Sequence, residues 1–500
     1  MYYYYIETYK KGVMHMFYKK IVPKLVAIGF IFLLFFASFV PAQAATDNSL
    51  QEVKDKGTLV VGLSADYPPY EFHQTIKGKD QVVGFDISIA KKIASDMGVS
   101  LDIKEMGFDS LLGALKTGKI DLIISGMSPT PERLKEVDFS NPYMTVEQKV
   151  VIRKNDVDKF KTTQDFNGKK VGAQKQTTQE ELAQNELTGS SVVSLQKVPD
   201  LILNLKSNKI DGVVLEGPVA DAYVSQDKAL RISDISFVNG EKETAIAMQK
   251  GATSLKNQVN SSIKTIQDDN LLKDYQKEAN ELMFQKDGFF AQYGSYFVKG
   301  TLYTIALAAI GVFFGAIFGA FLAILKLANT RWLRWPATWY IEFIRGTPLL
   351  VQIFIVFFGT QVFGLNLSAF ASGCIALTLN SAAYVAEIIR AGISAVNKGQ
   401  MEAARSLGMT RGAAMRYIIL PQAIKNILPA LGNEFVTVIK ESSVVSIIGV
   451  SELMFMTGVV QGASFKPFIP LIITSLIYFA LTFSLSRLLG VAERRMKTSD

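Results

Sequence analysis

Cysteine is almost missing from this sequence of 500 residues: Cys374 stands alone in an apolar run, so no intrachain disulfide can form. Histidine is nearly as scarce. His15 and His73 are too few and too far apart to build a metal cluster or a hydrolytic triad. No G-x-x-x-x-G-K-S/T phosphate loop occurs, and Gly168-Lys169-Lys170 lacks the leading glycine spacing, which excludes a nucleotide site of that kind. There is also no basic stripe with interleaved aromatics, so the net charge of +8 does not point to nucleic acid. No catalytic constellation is visible.

What is plentiful is apolar sequence: 49% of residues are hydrophobic, and they concentrate in long runs. A chain of this length and composition holds more than one domain, part of it in a bilayer. At the amino end, Lys19, Lys20 and Lys24 precede the apolar run Leu25 to Val40, and Ala42-Gln43-Ala44 forms an A-x-A site. Residues 1–44 therefore read as a signal peptide, with an uncleaved anchor as the alternative and Met16 as an alternative start. Either way, the segment after Ala45 is expected to cross the membrane.

From Asn48 to residue 284 short β-rich runs alternate with amphipathic helical patterns, as in Thr58 to Ser64, Ile87 to Gly98 and Ile120 to Ser128. That alternation predicts an α/β fold with mostly parallel strands, in two lobes at this length, with crossovers near Gln148 to Arg153 and Thr244 to Lys250. A short linker is expected over 285–295, then an all-α membrane domain over 296–490 and a tail over 491–500.

Five spans are expected in that domain: Thr301 to Leu325, two within Gly346 to Ala386 joined near Gly364, Ala423 to Lys440, and Pro467 to Ser486. Lys326, Arg331 and Arg334 follow the first; Arg390, Lys398, Arg405, Arg411, Arg416 and Lys425 crowd the segment before the fourth; Arg494, Arg495 and Lys497 close the chain. The positive-inside rule puts those basic segments in the cytoplasm and the α/β half outside. An odd span count demands the same.

The polar loop 396–421 carries Glu402-Ala403-Ala404, Gly408 and Ile418-Ile419-Leu420-Pro421. Small alanines let a short helix dock closely, Gly408 offers positive φ at its end, and Pro421 can open the next helix. This spacing resembles the cytoplasmic coupling loop of importer-type ABC permeases. Phe343-Ile344-Arg345-Gly346-Thr347-Pro348, Ala383 to Gly392 and Lys440 to Gly449 extend the resemblance to polar-amino-acid permeases, with Glu441-Ser442 where that family often has Asp-Thr. The resemblance implies an ATPase dimer docked at Glu402, Ala403, Ala404 and Gly408, ATP and magnesium held by that partner and no cofactor in this chain. It also implies a second permease subunit, foremost a homodimer, otherwise a heterodimer. Glu434, Lys440 and Glu441 are candidates for the translocation path. Glu387 and Arg390, three apart on one helical face, either pair with each other or belong to that path.

The α/β half is similar to type II, periplasmic-binding-protein-like receptors for polar amino acids. The resemblance rests on Asp66 to Phe72, Gly84-Phe85-Asp86, Phe108 to Leu112, Ser125 to Arg133 and Asp138 to Tyr143. It implies that Arg133 forks the ligand α-carboxylate, with backbone donors at Gly126 and Ser128 and a contact from Thr178. It places the ammonium on Glu216, where the family usually has aspartate, and makes Tyr67, Tyr70 and Phe108 the aromatic walls. A surface ion-pair role for Arg133 and a plain core role for the aromatics are the bland alternatives, and Asp86 and Asp109 read as caps or turn residues. Neutral Ser64 leans toward glutamine or another polar ligand, whereas Asp66 and Glu71 keep arginine and lysine open. The whole resembles a receptor–permease fusion of an amino-acid ABC importer. An amino-acid-gated channel or a sensor is the rival; the Glu402 loop argues against the channel, and a sensor is expected to carry a cytoplasmic signalling domain.

Overall fold

A computed structural model of the chain describes residues 47–76, 79–283, 288–328 and 330–497. The expected signal peptide lies outside them.

The strand Thr58–Leu63 is rich in apolar residues, and Leu59, Val61 and Leu63 bury against helix Phe85–Met97 and its neighbours. That helix sinks Phe85, Ile89, Ala90, Ile93, Ala94 and Met97 at helical spacing and stops at Gly98, whose φ of +72° ends it in the left-handed region. Around this unit the first sheet runs in the order Ser100–Glu105, Thr58–Leu63, Leu122–Ile123, Ala247–Gln249, Val137–Phe139, the first two contacts parallel and the last two antiparallel. A second sheet orders Ser191–Leu195, Lys170–Gln174, Gly212–Glu216, Met144–Arg153 and Leu230–Ile232.

The chain passes between the sheets twice, after Phe139 and after Thr244. The expected crossover at Gln148 to Arg153 lies a few residues late. The long strand Met144–Arg153 already belongs to the second sheet, where Met144 pairs with Thr244.

The membrane half opens on a helix of 39 residues, Phe289–Leu327. It starts inside the segment expected to be a linker. Gly288 precedes it as cap, and Tyr293, Tyr296 and Phe297 bury against Leu453, Met456 and Val460, which favours helix over free chain. At 1.5 Å per residue it is roughly 58 Å long, far more than the ~30 Å of a hydrocarbon core, so its first turns rise out of the bilayer. Gly311, Gly315 and Gly319 form a ridge on which helix Ala369–Ser394 lies so closely that an added Cβ would meet Leu377, Ser381 or Val385 within 3.1 Å. The opposite face exposes Phe313, Ile317, Phe318, Phe321 and Ile324, as lipid requires.

Among the described residues three helices are long and apolar enough to span, Phe289–Leu327, Ala369–Ser394 and one ending the domain, and two bent pairs bring the number to as many as five. Leu349–Val362 does pass into Ala369–Ser394 through Gly364 at φ +76°, as expected, but is too short to span alone. It joins Arg331–Arg345 at a 107° bend. Gln352 repairs that break by donating to the carbonyls of Ile344 (2.8 Å) and Thr347 (3.1 Å), while Asn380 donates to its oxygen at 3.0 Å. The fourth span, Leu420–Glu441, continues through a 3₁₀ turn and bends by 52° into Leu453–Ser464. This last helix is not legible in the sequence. Buried Glu452 caps it, accepting from the Phe455 N–H at 2.6 Å and the Met454 N–H at 2.8 Å.

Candidate functional site: a closed cleft docked on a membrane domain

The cleft lies where the two sheets face each other. Its cavity, about 360 Å³, is lined by Tyr67, Phe108, Gly126, Ser128 and Arg133 from one lobe and Thr178 and Glu216 from the other. Ser64, Asp66, Ser125, Gln174, Thr177 and Gln179 complete the wall. Seven of the eight expected binding residues therefore meet here. Tyr70 does not face the cavity: it is fully buried behind Tyr67 (ring centroids 5.4 Å apart) and packs on Phe85 at 4.4 Å.

Arg133 follows the Thr130 cap of helix Pro131–Glu136, so its side chain leaves the first turn into the cleft. It is buried beside the Phe108 ring, with its guanidinium carbon 5.6 Å from the ring centre. One amino group donates to the Ser128 carbonyl at 2.8 Å and the other to the Gln176 carbonyl at 2.7 Å. These bonds hold the fork in place and leave the remainder of its five N–H donors for a ligand. A surface ion-pair role is thereby excluded. The Gln176 bond also crosses between lobes, as does Gln196 Nε2 to Asp109 Oδ2 at 3.1 Å; the cleft is closed. Asp109 thus serves as a latch rather than a helix cap.

Gly126, expected as a carboxylate donor, spends its N–H on Asp86 Oδ2 at 3.0 Å. Its φ of +56° explains why glycine stands there. Ser128 Oγ and Glu216 Oε2 are buried with no hydrogen-bond partner among the described residues. Glu216 ends strand Gly212–Glu216 and accepts from Gln179 Nε2 at 3.2 Å on its other oxygen. Burial pushes its carboxyl up to about 7, opposed first by the Tyr70 hydroxyl and then by Gln179 and Arg133. Asp86 rises to about 6 by burial, against the Gly126 N–H and Tyr143 hydroxyl that it accepts. Glu71, bonded by Ser125 Oγ, is pushed well up by burial and by Asp86 beside it.

The closed lobes sit directly on the membrane half. The Gly107 N–H donates to the Ile447 carbonyl at 3.2 Å, and Lys119 donates to the Leu367 carbonyl at 3.1 Å while lying 4.3 Å above the Phe357 ring. Tyr296 of the first membrane helix donates to Asp80 at 2.7 Å, and Asp80 in turn holds His73 at 2.7 Å, with Glu105 at 2.6 Å on its other nitrogen. Burial alone would lower the His73 pKa, but these two carboxylates raise it from 6.5 to about 10. A raised pKa stabilises fully below the unfolded value and fades as pH climbs through the folded one. The full chain is therefore expected to lose stability between about pH 6.5 and 10, and His73→Gln to flatten that slope in thermal melts across the interval.

At the other end, helix Lys398–Ser406 stops at Gly408, whose φ is +84°. The Gly408 N–H reaches the Arg405 carbonyl and the Met409 N–H the Ala404 carbonyl, both at 3.1 Å, forming a Schellman close. Ala404 is buried, whereas Glu402, Ala403 and Gly408 are exposed. Pro421 does not begin a separate helix, because a π turn at Met415–Ile419 precedes it in a continuous run and relieves the clash proline would impose. Glu434 is buried, Glu441 half-buried and Lys440 exposed on Leu420–Glu441. Glu387 bonds both Arg390 and Lys326, the latter at 2.9 Å; its pairing is structural.

A two-lobed receptor closed over a polar cleft and seated on a helical membrane domain defines a binding-protein-dependent transport component. Two family models match. Residues 59–279 match bacterial extracellular solute-binding proteins, family 3, and residues 301–498 match the binding-protein-dependent transport system inner membrane component. The chain is 43% identical over 202 residues to the putative glutamine transport system permease protein GlnP of Rickettsia conorii, covering 40% of this chain and 93% of that protein. It is 41% identical over 206 residues to the arginine transport system permease protein ArtQ of Bacillus subtilis, covering 41% and 94%. Among solved structures, an amino acid ABC transporter substrate-binding protein AbpA of Streptococcus pneumoniae bound to L-arginine is 40% identical, with a TM-score of 0.46, covering 47% of this chain and 100% of that one. The chain belongs to the binding-protein-dependent transport family and fuses the receptor and permease of an amino-acid ABC importer.

Proposed function

We propose that this importer subunit captures a cationic amino acid outside the cell, arginine or lysine, and passes it through its own membrane half. The observation that carries this reading is the charge around the cleft. The cleft wall carries two carboxyl side chains, Asp66 and Glu216, and one guanidinium, Arg133, a surplus of one acidic group. A zwitterion leaves that surplus in place; a cationic side chain removes it. In this reading Arg133, Ser128 and the start of helix Thr178–Glu186 take the carboxylate, Glu216 takes the ammonium, and Tyr67 and Phe108 wall the side chain. Glutamine is the second reading. It draws on neutral Ser64, on the amides Gln174 and Gln179 in the wall, and on the names of several relatives.

Titration calorimetry of the purified full chain with arginine, lysine and glutamine separates the two. Arginine is expected to bind about tenfold more tightly than glutamine, and Asp66→Asn to erase most of that margin. Preference for glutamine in both proteins would reverse the assignment.

The α/β half lies outside, and loop 396–421 and the carboxyl end lie in the cytoplasm. An ATPase dimer docks on Glu402, Ala403 and the Gly408 turn, and ATP with magnesium stays on that partner. Two copies of the permease half complete the pore, with a related permease as the other possible mate. Buried Glu434, together with Glu441 seven residues on along the same helical face, borders the path; exposed Lys440 does not need to.

A further inference from the structure

Between the closed lobes and the permease lies a second, partly open chamber of about 550 Å³. Ser64 and Asp66 wall both it and the ligand cleft, so a single partition separates the two. Asp109 of one lobe, Lys197 of the other, and Ser446, Phe455 and Gly458 of the permease supply further wall.

The partition is built to be moved from outside. Asp66 is tied to its own lobe through Ser64 Oγ at 3.0 Å, yet its backbone rests on helix Leu453–Ser464, where a Cβ at Gly462 would come within 3.0 Å of the Asp66 Cα. Lys197 is the second unusual feature. Its ammonium lies over Gly458 of the same helix, 2.1 Å from where a Cβ would stand. It faces Asp66 of the opposite lobe, Asp200 of its own and Glu452 of the permease, but it hydrogen-bonds to no described residue. The half-buried cation thus has three carboxylates around it and an ion pair with none of them in the docked, closed state.

An amino acid leaving the cleft must give up Arg133 and Glu216 before it reaches the membrane path. Without replacements, both its charges would be stripped at once. We propose that the chamber is a transit site for the amino acid, in which Lys197 receives the carboxylate from Arg133 and Asp66 receives the ammonium from Glu216. It rests on the proposed cleft roles of Arg133 and Glu216. Helix Leu453–Ser464 is the part of the permease that touches both receiving groups, so its displacement opens the partition and presents the pair together.

The test uses full-length chain reconstituted with its ATPase, radiolabelled arginine and glutamine as probes, and calorimetry of each variant in parallel. Lys197→Met is expected to leave the dissociation constant within about threefold and to cut the maximal uptake rate about tenfold, with Lys197→Arg restoring it. Gly458→Trp, which fills the chamber, should do the same; should it fail to insert, the Lys197 pair decides alone. Wild-type uptake by Lys197→Met overturns the proposal. Loss of binding in that variant also overturns it, since Lys197 would then serve the cleft. Failure of the wild type to bind either probe would instead strike the cleft roles themselves.

Discussion

Arg133→Ala is expected to raise the dissociation constant for the amino acid by more than about a hundredfold. Among the described residues Arg133 is the sole guanidinium on the cleft wall, and a carboxylate buried beside Phe108 has no other full positive charge there to meet. Removing one member of a buried, hydrogen-bonded charge pair costs about 2–5 kcal/mol, much of it the penalty on the group left behind. The substitution also deletes the bond to the Gln176 carbonyl, which ties one lobe to the other. Arg133→Lys keeps the charge but reaches both carbonyls and ligand poorly, and should recover only part of the loss. Calorimetry on the folded full chain checks both, with the melting temperature as control.

The second large effect belongs to the membrane half. Gly408→Val places a β-branched residue at φ +84° and breaks the Schellman close that ends helix Lys398–Ser406. Glu402→Lys reverses the charge of an exposed residue on that same helix. Each is expected to reduce ATP-driven uptake to below about a tenth while leaving ligand affinity unchanged, the pattern of a lost interface hot spot. A parallel measurement of ligand-stimulated ATP hydrolysis should fall with uptake, as the proposed ATPase dock on this helix requires.

The receptor half is largely legible in sequence because its cues are local. Alternating β and helical patterns, Thr130-Pro131 at a helix start, and the apolar spacing of Phe85 to Met97 each act within a turn or two. Sequence does not show competition for the same donor. The Gly126 N–H is open to a ligand until folding brings Asp86 to it, forty residues away, and Tyr70 reads like Tyr67 until one ring covers the other. In the membrane half, hydropathy finds the long helices, but helix Leu453–Ser464 carries Thr457, Gln461 and four small residues that dilute its signal. It is a helix packed on protein, against Tyr293 and Tyr296 on one side and the lobes on the other, so lipid never selected its composition. The Gly311, Gly315, Gly319 ridge is written in the sequence as small residues four apart, yet its meaning depends on which helix lies across it.

Gly449 marks how tightly the two halves are joined. At φ +83°, a Cβ there would stand 1.7 Å from the Glu105 carbonyl oxygen of the receptor, so Gly449→Ala is expected to part the lobes from the permease and lower uptake with binding intact.

The most direct test of the whole account is flux. Full-length chain would be reconstituted in proteoliposomes with its ATPase, and labelled arginine accumulation followed with and without ATP. Accumulation that requires ATP on the Glu402 side, and that vanishes in Arg133→Ala and in Glu402→Lys alike, is the predicted result. ATP-independent entry, or undiminished accumulation by Arg133→Ala, would contradict a receptor and pump joined in one chain.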